Sequence, residues 1–162
     1  MDLVFYICNK YNKMKPNYLK YWRVVKNFML VAHKITSQDL ELLFFLYDET
    51  YFSRKSFRKY EEVMSWERGR INRMVEQGWL EKFRHTPKSR GDLFQLSYKA
   101  KRMVTYVYQM LDGTKLIPSS IQNPVFRKTG LRFTDKVHRN LIIEINKEYK
   151  EAIAQRRRRA TE

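Results

Sequence analysis

The sequence predicts a mainly α-helical fold with one small β-hairpin, on three observations. Apolar residues recur at helical spacing over most of the chain. Between Trp79 and Leu96 they instead form two short runs around a turn that holds Pro87 and Gly91. Two helical segments, the second rich in arginine, lie directly before this hairpin. This order is typical of a winged helix-turn-helix, here with flanking N- and C-terminal helices.

Two helices are predicted ahead of the helix-turn-helix. From Tyr18 to His33, apolar and aromatic residues at intervals of three and four predict the first. Thr36 or Ser37 is a suitable N-cap for the second, because either hydroxyl can accept a hydrogen bond from the first turn. This second helix is apolar nearly all round from Leu40 to Leu46, so we expect it at the centre of the core.

The helix-turn-helix is predicted between Arg54 and Gly78. Its first helix runs from Arg54 to Met64 and turns Phe57 inward. Its second helix begins near Ser65 and ends before Gly78, because glycine adopts a positive φ at the lowest cost.

The rest of the chain is predicted to form the hairpin and two more helices. The strands are Trp79 to Arg84 and Leu93 to Leu96, and the basic loop between them would be the wing. Ser97 can cap the next helix, and Thr134 can cap the last one, which follows a connector rich in proline and serine.

These elements divide the chain into four predicted parts. Residues 1–35 hold the N-terminal helix, a candidate dimerisation element, and residues 36–112 form the winged helix-turn-helix domain. Residues 113–133 are the connector, and residues 134–162 form the C-terminal helix with its basic tail, Arg156 to Arg159.

The chain is strongly basic, with 33 Lys and Arg against 17 Asp and Glu and a formal net charge of +16. Residues 53–102 hold fourteen of the bases and six acids, whereas residues 35–52 hold four acids and no base. A field of this sign attracts phosphate groups, so we expect a polyanionic partner. With 43% hydrophobic residues, the chain is not disordered as a whole.

The second helix of the helix-turn-helix is predicted to read DNA bases. At 100° per residue, Ile71, Met74 and Val75 point to one side, and polar residues cover most of the other. In the major groove, arginine can bond O6 and N7 of guanine, and asparagine can bond N6 and N7 of adenine. The candidate base-reading residues are Arg68, Arg70, Asn72 and Arg73.

Two further basic sets are predicted to contact DNA. Lys55, Arg58 and Lys59, on the first helix of the motif, would hold phosphates and fix the register without reading sequence. Lys88 and Arg90, in the wing, would reach a neighbouring minor groove. For both sets, and for the helix above, the alternative is a merely solvated basic surface.

Three short motifs carry a family resemblance. They are the run from Ile71 to Leu80, the strand-wing-strand through Arg90, and the step from Leu96 to Ala100 into the next helix. In these motifs the segment from Thr36 to Leu111, about half of the chain, resembles the multiple-antibiotic-resistance regulator (MarR) family. Its wing differs from the family pattern, with Thr86 to Ser89 where acids are usual. The resemblance implies a regulator that binds pseudo-palindromic DNA as a homodimer built from its first and last helices.

The last predicted helix carries an apolar stripe at four-residue spacing. Its members are Val137, Leu141, Ile145 and Tyr149. Such a stripe fits a dimer interface or the core of its own domain, and the sequence leaves both open.

No motif for catalysis, metal binding or cofactor binding occurs, so we expect a non-enzymatic protein without a cofactor. His33, His85 and His138 lack ligand spacing, and the single cysteine, Cys8, excludes an intramolecular disulfide. No apolar run approaches the roughly 20 residues that a membrane helix needs. We therefore expect no membrane partner and a location in the cytoplasm of a bacterial, archaeal or phage-infected cell.

The sequence thus predicts a transcriptional regulator that binds specific double-stranded DNA, with the recognition helix in the major groove and the basic wing at the minor groove. The alternative is a winged-helix interaction module that docks on a polymerase, replication or virion complex and has only generic affinity for nucleic acid. An RNA-binding role is a third reading, with weak support from the arginine tail and the many tyrosines.

Overall fold

The computed structural model describes residues 18–64, 67, 69–84 and 91–161, and it confirms the predicted fold class. The helices are α1 (Tyr18–His33), α2 (Ser37–Phe45), α3 (Arg54–Met64), α4 (Arg70–Glu76), α5 (Tyr98–Leu111), α6 (Pro124–Arg127) and α7 (Phe133–Thr161). The strands are β1 (Phe52–Ser53), β2 (Leu80–Arg84) and β3 (Leu93–Leu96). Helices α3 and α4 followed by the β2–β3 hairpin form the winged helix-turn-helix.

The chain divides into two compact units. The winged-helix unit is Met29–Tyr108, and the terminal unit comprises the described residues within Met1–Phe28 and Gln109–Glu162. The boundaries between the units fall inside helices α1 and α5. The units are therefore defined by which residues pack together and not by where the helices end. The four-part domain division made from the sequence stays a prediction.

Helix α2 lies in the core of the winged-helix unit, as predicted. Thr36 is its N-cap, and the threonine hydroxyl accepts a hydrogen bond from the backbone N–H of Asp39 at 3.1 Å. This bond satisfies one of the free donors of the first turn. Leu40, Leu42 and Leu43 are completely buried, so α2 supplies the apolar surface against which the DNA-binding motif can pack.

The wing strands belong to a three-stranded antiparallel sheet with the order β1-β3-β2. Strand β1 was not predicted from the sequence, because a strand of two residues carries no periodic signal and exists through its pairing of Phe52 with Phe94. The register of β2 against β3 shifts between Lys82 and Arg84, so Phe83 lies at a bulge.

Helix α4 is shorter than predicted. It begins at Arg70, whereas the sequence placed its start near Ser65. Glu67 is not helical, and Gly69 is the N-cap residue without any side chain to cap the first turn. Glycine disfavours a helix interior, which is the reason the helix starts after it. Residues 65, 66 and 68 lie outside the described part of the chain.

Ser97 links the end of the helix-turn-helix to the next helix. Its hydroxyl accepts a hydrogen bond from the N–H of Ala100 at 3.2 Å, which confirms Ser97 as the predicted cap of α5. The same hydroxyl donates to the carbonyl of Gly78 at 2.8 Å. One side chain therefore holds the turn after α4 against the start of α5.

Two buried asparagines organise the connector of the terminal unit. The amide of Asn146 pairs with both backbone groups of Ile117, at 2.9 and 2.7 Å. Asn123 accepts from the N–H of Val125 at 3.0 Å and thereby caps α6, a one-turn helix that was not predicted from the sequence. These bonds satisfy backbone groups that regular structure leaves free.

The predicted dimerisation stripe is not a continuous exposed face. Ile145 and Tyr149 are buried, and the Tyr149 hydroxyl donates to the carbonyls of Met110 and Leu111, at 3.0 and 3.2 Å. Of the two readings that the sequence left open for this stripe, the core of its own unit holds for Ile145 and Tyr149, because that side of α7 packs within the terminal unit. Val137 is 38% exposed and Leu141 is partly exposed.

Gly113 lies against the Tyr149 ring, which leads to a prediction about stability. Its φ is +72°, and an added Cβ would come within 2.9 Å of two ring carbons. Gly130 has a similar φ, +75°, with nothing within 4 Å of an added Cβ. We expect Gly130→Ala to cost about 1–2 kcal/mol from the left-handed backbone, and Gly113→Ala to cost about 1–3 kcal/mol more from overpacking.

The free energy of unfolding of both variants, from urea titration, checks this expectation. The ring of Tyr149 cannot move away freely, because its hydroxyl bonds two carbonyls. Equal losses of stability in the two variants would mean that the ring does make room for a methyl group.

Candidate nucleic-acid interface

The exposed side of α3 is strongly basic. Arg54, Lys55, Arg58 and Lys59 are all exposed, whereas Phe57 is 1% exposed and anchors the opposite side of the helix in the core. The structure therefore places the three predicted phosphate-binding residues on the solvent side of the motif. Their role in holding phosphate stays a prediction.

A hydrogen bond joins this basic side of α3 to helix α4. Nη2 of Arg54 donates to Oδ1 of Asn72 at 2.7 Å, and both side chains are exposed. The guanidinium of Arg54 also lies 5.2 Å from the ring centre of Phe94. Arg54 was not predicted as a site residue from the sequence, because no periodicity relates two residues that are 18 positions apart.

Arg70 is buried, so the prediction that it covers the outward side of α4 is wrong. It is 4% exposed, and its guanidinium donates to Oδ1 of Asp39 at 2.6 Å and to Oε1 of Gln38 at 2.8 Å. A signal for this placement existed in the sequence. Arg70 lies only about 40° from Met74 on the helical projection, and Met74 belongs to the inward face.

Arg73 is the partly exposed member of the same ion cluster. Its side chain is 40% exposed, with Nη2 at 3.4 Å from Oδ1 of Asp39 and Nη1 at 3.3 Å from Oε2 of Glu67. The Glu67 side chain is 66% exposed, so that ion pair is open to water. Water screens such a pair, and a phosphate can therefore compete for Arg73 at small cost.

Asp39 is the residue that holds α4 against α2. Its buried carboxylate accepts hydrogen bonds from Arg70 and from the hydroxyl of Thr36, the latter at 2.6 Å, and it also faces Arg73. A charge in this position is tolerated because ion pairs and hydrogen bonds replace its water. The short helix α4 is thereby fixed by charge as well as by the buried Ile71.

The base of the wing is described, but its tip is not. Lys88 and Arg90 lie outside the described residues, as do Arg68 and His85, so their predicted roles stay predictions. At the base, Nζ of Lys82 lies 3.4 Å from Oδ2 of Asp92 and links the two sides of the hairpin. Opposite charges placed across a pair of strands add a small stabilisation to their pairing.

No group of three or more His, Cys, Asp and Glu side chains among the described residues could hold a metal ion. Burial lowers the pKa of His33, and the nearby charge of Lys99 lowers it further. Cys8 lies outside the described residues. Among the helices described, none is both long and apolar enough to span a membrane.

Six side chains make up the candidate interface, which we call the α3–α4 surface. They are Arg54, Lys55, Arg58, Lys59, Asn72 and Arg73. Five of them are cations and one is an amide, so the surface offers many hydrogen-bond donors and a high positive charge. Such a surface suits phosphate oxygens and the acceptor atoms of bases.

Comparison with known proteins yields structural similarity only. No family model matches the sequence, and no curated protein matches it. The apo form of wild-type MarR from E. coli is 17% identical, with a TM-score of 0.42 over 68% of this chain and 78% of that chain. A cysteine-to-serine mutant of MarR from E. coli, complexed with operator DNA, is 20% identical, with a TM-score of 0.43 over 70% and 81% of the two chains.

Proposed function

We propose that this protein binds specific double-stranded DNA and regulates transcription by occupying its site. The α3–α4 surface is the observation that carries the proposal, because it combines exposed cations with an exposed amide on a winged helix-turn-helix. Helix α4 would enter the major groove, where base edges differ most. Lys55, Arg58 and Lys59 would hold the flanking phosphates, and Lys88 and Arg90 of the wing would contact the minor groove.

The base-reading role falls to fewer residues than the sequence predicted. Asn72 and Arg73 stay candidates on α4, and Arg68 stays a candidate by its position before Gly69. Arg70 is excluded, since its side chain serves the buried pair with Asp39. Arg73 would leave its exposed partner Glu67 when it meets DNA.

A homodimer is part of the proposal, because two copies would double the DNA contact and read a pseudo-palindromic site. Exposed apolar side chains on α7 support it, namely Phe133, 80% exposed, and Val137, 38% exposed. Leu141 is partly exposed and would lie at the edge of that contact.

The test compares charge removal on the α3–α4 surface with charge removal elsewhere. We expect Lys59→Ala and Arg58→Ala to weaken binding to all duplexes alike and to lower the magnitude of the salt slope by about 0.9 for each phosphate that is no longer neutralised. Lys101→Ala, which removes an exposed charge from α5, is the matched control and should change the slope much less. Fluorescence anisotropy with labelled duplexes gives both quantities.

Equal effects from Lys59→Ala and Lys101→Ala would show that total charge and not this surface binds DNA. Binding that never distinguishes one duplex sequence from another would instead favour the interaction module on a polymerase, replication or virion complex. Either result would contradict the proposed regulator.

A further inference from the structure

The bond between Arg54 and Asn72 determines which atoms of the Asn72 amide face outward. A guanidinium has only donors, so the amide atom that faces it at 2.7 Å must be the carbonyl oxygen. This removes the usual ambiguity between the oxygen and the nitrogen of an asparagine side chain. The amide NH₂ group of Asn72 then faces away from Arg54 and offers its donors to an outside partner.

Arg54 is held in place by two different contacts. Besides its bond to Asn72, its guanidinium lies 5.2 Å from the ring of Phe94, which is itself completely buried. A long side chain that is already ordered loses less entropy when it binds. The exposed N–H groups of Arg54 that do not bond Asn72 therefore form a preorganised set of donors beside the Asn72 NH₂ group.

The pair thus presents several N–H donors and one acceptor, the Asn72 carbonyl oxygen, which has one of its two lone pairs occupied by Arg54. In the major groove, guanine offers two acceptors, N7 and O6, whereas adenine offers the acceptor N7 and the donor N6. The usual bidentate contact of asparagine with adenine uses its carbonyl oxygen, and in this protein the cationic guanidinium of Arg54 lies 2.7 Å from that oxygen. Adenine would also turn its N6 donor toward the donors of Arg54.

We infer that Arg54 and Asn72 together recognise a guanine in the major groove, and that Arg54 disfavours the adenine that Asn72 alone would select. This inference rests on the proposed function, because it assigns a base to the same α3–α4 surface. It also assigns specificity to Arg54, a residue at the N-terminus of α3 and not on the recognition helix.

Selection from a randomised duplex pool tests the inference with the full chain. We expect the unmodified protein to enrich a guanine whose replacement by adenine weakens binding about 5- to 150-fold, the equivalent of 1–3 kcal/mol. Arg54→Ala should move the preference at this base pair from guanine to adenine, because the Asn72 amide becomes free to turn. Asn72→Ala should leave a weaker preference for guanine, carried by Arg54 alone.

The controls separate this inference from the proposed function. Lys101→Ala should keep the preference of the unmodified protein, and substitution of 7-deazaguanine at the selected position should weaken binding because it removes the N7 acceptor. Both Arg54 and Asn72 are exposed, so circular dichroism of the variants should be unchanged.

A protein that selects a duplex sequence but prefers adenine at the position sensitive to Arg54→Ala would overturn the inference and leave the proposed function standing. Equal losses of affinity on all sequences for Arg54→Ala and Asn72→Ala would also overturn the inference and leave the proposed function standing, since both residues would then only hold phosphates. Absence of any binding to duplex DNA at low salt would overturn both.

Discussion

The affinity of this protein for duplex DNA should fall by about 10³ to 10⁵-fold between 50 and 200 mM salt. Each phosphate that a lysine or arginine neutralises releases a condensed counterion, so affinity depends on the number of such contacts. One α3–α4 surface offers Lys55, Arg58, Lys59 and Arg73, and two copies of it would supply roughly 6 to 10 contacts. The net charge of +16 adds a favourable long-range field.

Titration of a labelled duplex at several salt concentrations measures this slope, and sedimentation of the same samples reports how many copies bind. The slope should be about half as steep if only one copy binds, because the number of phosphate contacts is halved. A binding constant that hardly changes with salt would contradict the electrostatic interface.

Replacement of Arg70 by methionine should destabilise the protein by about 3–5 kcal/mol, because it leaves the carboxylate of Asp39 buried without its closest cationic partner. The two side chains are 5% and 3% exposed and their charged atoms lie 2.6 Å apart. The remaining partners do not substitute for Arg70. Thr36 donates one hydrogen bond, and Arg73 lies 3.4 Å from the carboxylate and is open to water.

A double-mutant cycle measures this effect by chemical denaturation. Arg73→Ala removes a partner of the same carboxylate that is largely solvated, so it should cost only about 0–1 kcal/mol. Asp39→Leu together with Arg70→Met should recover much of the stability that Arg70→Met alone removes, since the pair of apolar residues leaves no buried charge. A loss of stability below about 1 kcal/mol in Arg70→Met would mean that water reaches Asp39 in spite of its burial.

The fold class followed from local signals in the sequence. Helix α1 ends at His33 and helix α3 begins at Arg54, where periodicity placed those two ends. Thr36 and Ser97 cap helices as their hydroxyls predicted. These features depend on neighbours within a few residues, so the sequence contains the information directly.

Features that depend on distant partners were missed or misplaced. Strand β1 has two residues and exists through its pairing with β3. The late start of α4 is a different case, because Gly69 directly precedes the helix and is a local signal in the sequence. Ile145 and Tyr149 belong to an apolar stripe that fits an interface and a core equally well. Only packing within the terminal unit decided for the core.

The candidate interface likewise has features that the sequence alone predicts and features that depend on the tertiary structure. The sequence alone established a strong positive charge on a helix-turn-helix and the solvent-facing basic side of α3, because both follow from composition and helical periodicity. Only the tertiary structure decided the part that each side chain of α4 plays. Arg70 turns inward because Asp39 of α2 offers a buried opposite charge, and the amide of Asn72 is oriented by the bond from Arg54 to its oxygen. Asp39 and Arg54 are both distant in sequence from the α4 residues that they bind. The orientation of a charged or amide side chain depends on the partner that it contacts in space.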